Sequence, residues 1–120
     1  MGWGGINNRK AVRVSFECIV LVKKARSNLV FHSFTENMST GGVCIILEKE
    51  LLKNTPVELE LHLPDDLPAA GCSGKVTWSV KRNEYLKKKP SQFETGIEFI
   101  EISDQDRSRI RHIIEELLEY

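Results

Sequence analysis

Hydrophobic and polar positions alternate with period two along much of this chain, and six strand-like runs precede one run of helical period. Val14, Phe16, Cys18, Val20 and Val22 alternate with Arg13, Ser15, Glu17, Ile19 and Leu21, which predicts a first strand over Val12–Lys23 that becomes apolar on both faces toward its end. Lys24 to Asn28 is a polar turn, and Leu29 to Glu36 reads as a second strand. The cluster Asn37-Met38-Ser39-Thr40-Gly41-Gly42 ends it with residues that favour turns. Val43–Leu47 is a short apolar run, predicted to be a strand buried on both faces.

Val57, Leu59, Leu61 and Leu63 alternate strictly with Glu58, Glu60 and His62, which predicts a half-buried strand opened by Pro56 and closed by the loop Pro64-Asp65-Asp66-Leu67-Pro68. Cys72–Val80 alternates through Gly74, Val76, Trp78 and Val80. Lys81–Ser91 is basic and reads as an exposed loop. Phe93–Glu101 alternates through Thr95, Ile97 and Phe99. Ser103 then suits a helix cap, with Asp104 and Asp106 in the first turn. Ile110, Ile113, Ile114, Leu117 and Leu118 follow helical spacing. The expected architecture is mainly β: a small six-stranded antiparallel β-barrel with a C-terminal amphipathic α-helix. Closure is favoured because it removes exposed strand edges.

Composition narrows the function. At 120 residues the chain is one domain in length, with residues 1–8 expected as a flexible lead-in rich in glycine and asparagine and residues 9–120 as a single domain. Seventeen basic and seventeen acidic residues cancel, so no global field recruits nucleic acid or an anionic membrane, and anion binding must come from local clustering. Cys18, Cys44 and Cys72 are widely spaced and fall in strand-like runs, so they read as reduced and mostly buried. His32, His62 and His112 pair with no cysteine at ligand spacing, so no metal is expected. No run approaches a membrane span and no signal-peptide pattern opens the chain, which leads to the expectation of a cytoplasmic protein without membrane insertion. No nucleophile–base pair or phosphate-binding loop is present, so catalytic residues are not expected. Asp65 and Asp66 read as a solvated turn.

Two polar stations carry the candidate chemistry. Arg9 and Arg13 form an R-x-x-x-R spacing before the first strand, with Lys10 between them. A guanidinium offers a planar fork of donors suited to phosphate oxygens or to the O6 and N7 edge of guanine. Asn37, Ser39 and Gly42 form an N-x-S-x-x-G spacing, in which two short polar side chains can donate and accept and the glycine permits close approach. Taken singly, the first spacing is common among solvated arginines and the second among hairpin turns. Trp78 has the phase of Val76 and Val80, which places it with the core, and stacking on a purine is its other possible role.

Together and in this order, the two stations resemble the PilZ family. Gly74-Lys75-Val76-Thr77-Trp78 is similar to that family's G-x-V-x-W strand, Gly96-Ile97-Glu98-Phe99 to its last strand, and the C-terminal helix fits as well. The resemblance implies a cyclic di-GMP receptor or adaptor that is not an enzyme. It implies that Arg9 and Arg13 contact guanine and phosphate, that Asn37, Ser39 and Gly42 receive the other guanine, and that Lys10 and Trp78 assist. The expected mechanism is that the arginine segment orders on ligand binding and that the signal leaves through an effector protein; zero net charge and aromatics mostly in core phase argue against a DNA or RNA partner, and a monomer and a homodimer both stay open. Asn37 stands where aspartate is commoner. Asn8 stands where binders of a stacked ligand dimer often carry an extra arginine, so one ligand per chain is expected. The alternatives are an adaptor that binds only protein and a small oligonucleotide-binding barrel.

Overall fold

The computed structural model describes residues 18–24, 30–82 and 91–118. Six strands, β1 (Ile19–Lys24), β2 (Val30–Met38), β3 (Gly42–Leu47), β4 (Pro56–His62), β5 (Ala70–Lys81) and β6 (Phe93–Glu101), are followed by the helix α1 (Asp104–Leu118). The strands close into a barrel in the order β1-β2-β3-β6-β5-β4, and every neighbouring pair is antiparallel. The expected six-stranded barrel with a terminal helix is therefore the observed architecture.

Side-chain alternation fills the interior. Val20 and Val22 of β1, Val43, Ile45 and Leu47 of β3, Val57, Leu59 and Leu61 of β4, Val76 of β5 and Ile97 and Phe99 of β6 form one interior cluster. β4 is the simplest case, with buried and exposed positions alternating along its whole length. Burying side chains of this size contributes about 1.5–3 kcal/mol each relative to exposure, before conformational entropy opposes it.

The helix is placed by both packing and polar ties. Ile110, Ile113 and Ile114 join the interior cluster and Leu117 packs against it, whereas Leu118 is exposed. Ser103 caps the helix as expected, its Oγ accepting from the Asp106 N–H at 3.0 Å. Asp65 is not the solvated turn residue expected, because Arg109 donates to both its carboxylate oxygens, at 2.8 and 2.9 Å, and to Asp106 at 3.0 Å. This contact holds Asp65 below the usual carboxylate range, chiefly through the hydrogen bond itself. It anchors α1 to the β4–β5 loop across 44 positions of sequence.

The cysteines are free thiols. Burial raises Cys18 above the usual thiol range, and burial with the nearby Asp106 carboxylate pushes Cys72 up to about 12.

Candidate functional site

Two interruptions of the period-two pattern create the candidate site. On β2, Phe31 packs against the interior cluster, and Ser33 and Thr35 are buried. Continued alternation would turn Asn37 inward as well. Instead the register shifts between Thr35 and Asn37, so that Thr35 faces Ile45, Asn37 faces Cys44 and Met38 faces Val43. Glu36 is the extra residue of this bulge. Met38 enters the core with no exposed surface, and Asn37 is re-aimed to the outer wall.

β5 repeats the device. Val76 faces Ile97 inside the barrel, the register shifts, and Trp78 faces Gly96. Gly96 in turn faces Cys44 on β3. Cys44 lies between the interior residues Val43 and Ile45, so its row is an outer row. The core phase expected for Trp78 is thus corrected: the bulge at Thr77 reverses its side, and it stands half-buried on the outer wall. Thr77 secures this bulge by donating its hydroxyl to the Gly96 carbonyl at 3.1 Å. Within the described residues, no acceptor meets the buried Trp78 Nε1–H.

Asn37, Cys44, Gly96 and Trp78 consequently form one cross-strand row over β2, β3, β6 and β5. Strands about 4.8 Å apart separate its ends by roughly 14 Å along the wall. The next outer row toward the helix is Gly42, Glu98 and Lys75. On the other side, Arg82 binds Glu94 through Nε at 3.0 Å and Glu36 through Nη2. Beside these groups the wall falls into a cleft of about 700 Å³ lined by His32, Glu36, Ile46, Glu48, Arg82 and Gln92, among others. The described wall therefore carries two cations, Lys75 and Arg82, against the carboxylates of Glu36, Glu94 and Glu98, and has no positive excess of its own.

The three residues of the second station occupy three different environments. Asn37 is half-buried on the wall. Ser39 has no exposed surface. Its Oγ accepts from the Gly41 N–H at 3.1 Å, and its own N–H donates to the Gly42 carbonyl at 2.9 Å. Its hydroxyl shapes the β2–β3 turn from within. Gly42 lies where a Cβ would sit 2.5 Å from the Ile97 carbonyl oxygen, so β3 and β6 approach too closely for any side chain. The turn is tied on both flanks as well: Phe99 N–H donates to the Gly41 carbonyl at 2.9 Å and Arg107 Nη1 to the Thr40 carbonyl at 3.2 Å.

The structure thus brings Asn37, Ser39, Gly42 and Trp78 onto one region of the barrel. Arg9, Lys10 and Arg13 lie outside the described residues. Sequence reasoning placed Arg82 in a solvated loop and did not single out Glu36 or Glu94. For Glu94 the available signal was its outward phase on β6; for Arg82 the bulge at Thr77 hid the outward phase that it shares with Val80. No group of histidine, cysteine, aspartate or glutamate side chains among the described residues is arranged to hold a metal, and no helix among them is long and apolar enough to cross a membrane.

Similar folds occur among solved structures. The inhibitor of motility MotI/DgrA of Bacillus subtilis is 19% identical, with a TM-score of 0.72, over 94% of this chain and 53% of that one. The PilZ domain of YcgR from Escherichia coli, solved with c-di-GMP, is 16% identical with a TM-score of 0.71, over 92% of each chain. MrkH of K. pneumonia is 15% identical with a TM-score of 0.75, over 94% of this chain and 49% of that one. The chain spans about half the length of MotI and MrkH. At these identities the likeness is one of fold, and no curated protein matches the sequence significantly. The family model for the PilZ domain matches residues 7–116, from just before the arginine station to the last turns of α1, and the chain belongs to that family.

Proposed function

We propose that this chain is a cyclic di-GMP receptor module whose ligand lies across the outer wall between Asn37 and Trp78. The observation that carries the reading is the shared row of these two residues, each turned outward by its own bulge. Asn37 offers a donor and an acceptor to a guanine edge, and Trp78 offers an aromatic face to a purine. Gly96, between them, leaves the wall without a side chain where the ligand would cross. Gly42 and Ser39 act by fixing the turn that aims Asn37.

The charge of the wall supports a role for the first station. A ligand with two phosphates meets no net positive surface among the described residues, so cations must come from elsewhere. Arg9 and Arg13, assisted by Lys10, supply them when the segment folds over the bound ligand. The closing of that segment changes the exposed surface, and an effector protein reads the change. YcgR was solved with c-di-GMP, which agrees with the ligand class. MrkH is described as a c-di-GMP dependent transcription regulatory factor, so DNA belongs among the controls.

The test is calorimetric titration of the folded chain with cyclic di-GMP, cyclic di-AMP, single-stranded DNA and RNA. The expected result is saturable binding of cyclic di-GMP at micromolar affinity or tighter, which is about 8 kcal/mol or more, with the other ligands weaker. Absence of heat at high micromolar cyclic di-GMP would refute the receptor reading, and tight binding of DNA or RNA without cyclic di-GMP would replace it with a nucleic-acid barrel.

A further inference from the structure

Arg82 follows β5, yet its guanidinium reaches across the outer wall. Its own N–H donates to the Gln92 carbonyl at 2.8 Å, which closes the β5–β6 connection. Its Nε donates to Glu94 of β6 at 3.0 Å, and its Nη2 meets Glu36 of β2. Between β6 and β2 lies β3, so one side chain links three strands over the top of a fourth.

Glu36 is no ordinary strand residue. It is the extra residue of the bulge that separates inward Thr35 from outward Asn37. A bulged residue lacks a ladder partner, and its placement depends on what its side chain finds. Here it finds a cation supplied from the far side of the candidate wall. Glu36 is also the carboxylate adjacent in sequence to Asn37, the nearest negative charge along the chain to the proposed guanine contact. Without Arg82, two carboxylates would face a dianionic ligand with no counter-charge between them.

We propose that Arg82 is a positioning residue of the nucleotide wall: by bridging Glu36 and Glu94 it holds the β2 bulge that aims Asn37 and neutralises the carboxylate beside it. The inference rests on the receptor reading for its consequence in ligand binding, while its structural half stands without ligand. The partners are about one-third exposed, with side-chain accessibilities of 36% for Arg82, 36% for Glu36 and 40% for Glu94. An ion pair so placed is worth up to about fivefold in an equilibrium constant at low salt, and a smaller factor in high salt.

The experiment compares wild type, Arg82→Ala, Arg82→Glu and the charge swap Glu36→Arg with Arg82→Glu. The swap returns one cation and two carboxylates to the same three positions. The first readout is amide hydrogen exchange at Glu36 and Asn37 in ligand-free protein. Exchange there should quicken several-fold in both single variants, while the amides of β4 keep their protection, and should return toward wild type in the swap. The second readout is cyclic di-GMP affinity, expected to fall roughly three- to fivefold in Arg82→Ala, further in Arg82→Glu, and to recover in the swap. Unchanged exchange at Glu36 and Asn37 in both single variants would overturn the proposal, as would undiminished affinity. If wild type takes up no cyclic di-GMP, the receptor reading falls, and the exchange measurement alone decides whether Arg82 holds the bulge.

Discussion

Replacing Gly42 by alanine asks whether this glycine serves the fold or only a ligand. None of the described glycines has a positive φ, so alanine meets no backbone penalty and the cost is steric alone. At Gly42 the added Cβ would lie 2.5 Å from the Ile97 carbonyl oxygen and 3.4 Å from the Glu98 Cα. Both atoms belong to the β6 backbone, which cannot swing aside as a side-chain tip can. Restoring an ordinary contact needs β3 and β6 to part by at least about half an ångström, which stretches a ladder whose bonds are near 2.9 Å. Overpacking of this kind costs about 1–3 kcal/mol. With a urea m-value of about 2 kcal/mol/M, the unfolding midpoint should fall by roughly 0.5–1.5 M. Two further glycines calibrate the result. Gly74→Ala should behave like Gly42→Ala, because its Cβ would lie 2.6 Å from the Glu98 carbonyl oxygen. Gly71→Ala has nothing within 4 Å and should be neutral or more stable by about 0.4–1 kcal/mol, through a less flexible unfolded chain. Urea denaturation of the four ligand-free proteins is the assay. Equal midpoints for Gly42→Ala and Gly71→Ala would refute the argument that close approach of β3 to β6 demands Gly42.

Asp65 is held below the usual carboxylate range by Arg109, so its stabilisation is present above its unfolded value of about 3.9 and is lost as pH falls through its lower folded value. Asp65→Asn should therefore be less stable at neutral pH and show a shallower loss of stability below about pH 4, as read by urea midpoints across pH. Trp78→Ala should weaken cyclic di-GMP by about 1–3 kcal/mol, the worth of one stacked base, and wild-type tryptophan fluorescence should change on titration; normal affinity in the variant would remove Trp78 from the site. Arg9→Ala and Arg13→Ala should each cost about 1.5–3 kcal/mol of binding without lowering the unfolding midpoint, and lysine should not restore it fully because the planar fork is lost.

The parts of the fold that were legible in sequence are those where local pattern and tertiary demand coincide. β4 shows this best: Val57, Leu59 and Leu61 alternate with acids and histidine, and the strand is half-buried along its length. β6 runs Phe93–Glu101 as expected, and Ser103 caps α1. Where strands carry bulges, the pattern misleads. Trp78 keeps the phase of Val76 in sequence but faces the other side, because one extra residue inverts everything after it. β2 extends to Met38, beyond the expected end at Glu36, since Asn37 and Met38 complete the ladder against Cys44 and Val43 before the turn begins. The Arg109–Asp65 tie had no local signal at all, as its partners are 44 positions apart. The motif glycines were visible as glycines, but the reason for Gly42 and Gly74 is the backbone of β6, which neither position touches in sequence.

The two stations place different demands on the chain. The second is preorganised. Its turn is fastened by the buried Ser39 hydroxyl, by Phe99 N–H on the Gly41 carbonyl and by Arg107 on the Thr40 carbonyl, and the flanking wall is set by β-ladders on every side. In the proposed reading a ligand arriving there has little to order, so contacts with Asn37 and Trp78 would translate into affinity with small conformational loss. What this wall lacks, among the described residues, is a positive excess. In the proposed mechanism that charge is carried by Arg9 and Arg13, on a segment joined to the barrel through the start of β1. Under that mechanism the division has a functional logic: a fixed surface would recognise the bases, and the cations that hold the phosphates would also do the moving. Because Thr40 and Gly41 are tied to α1 and β6, any strain the ligand places on the β2–β3 turn is shared with the helix. In the proposed mechanism, α1 therefore joins the arginine segment as an element through which occupancy of the wall would alter the surface presented to an effector.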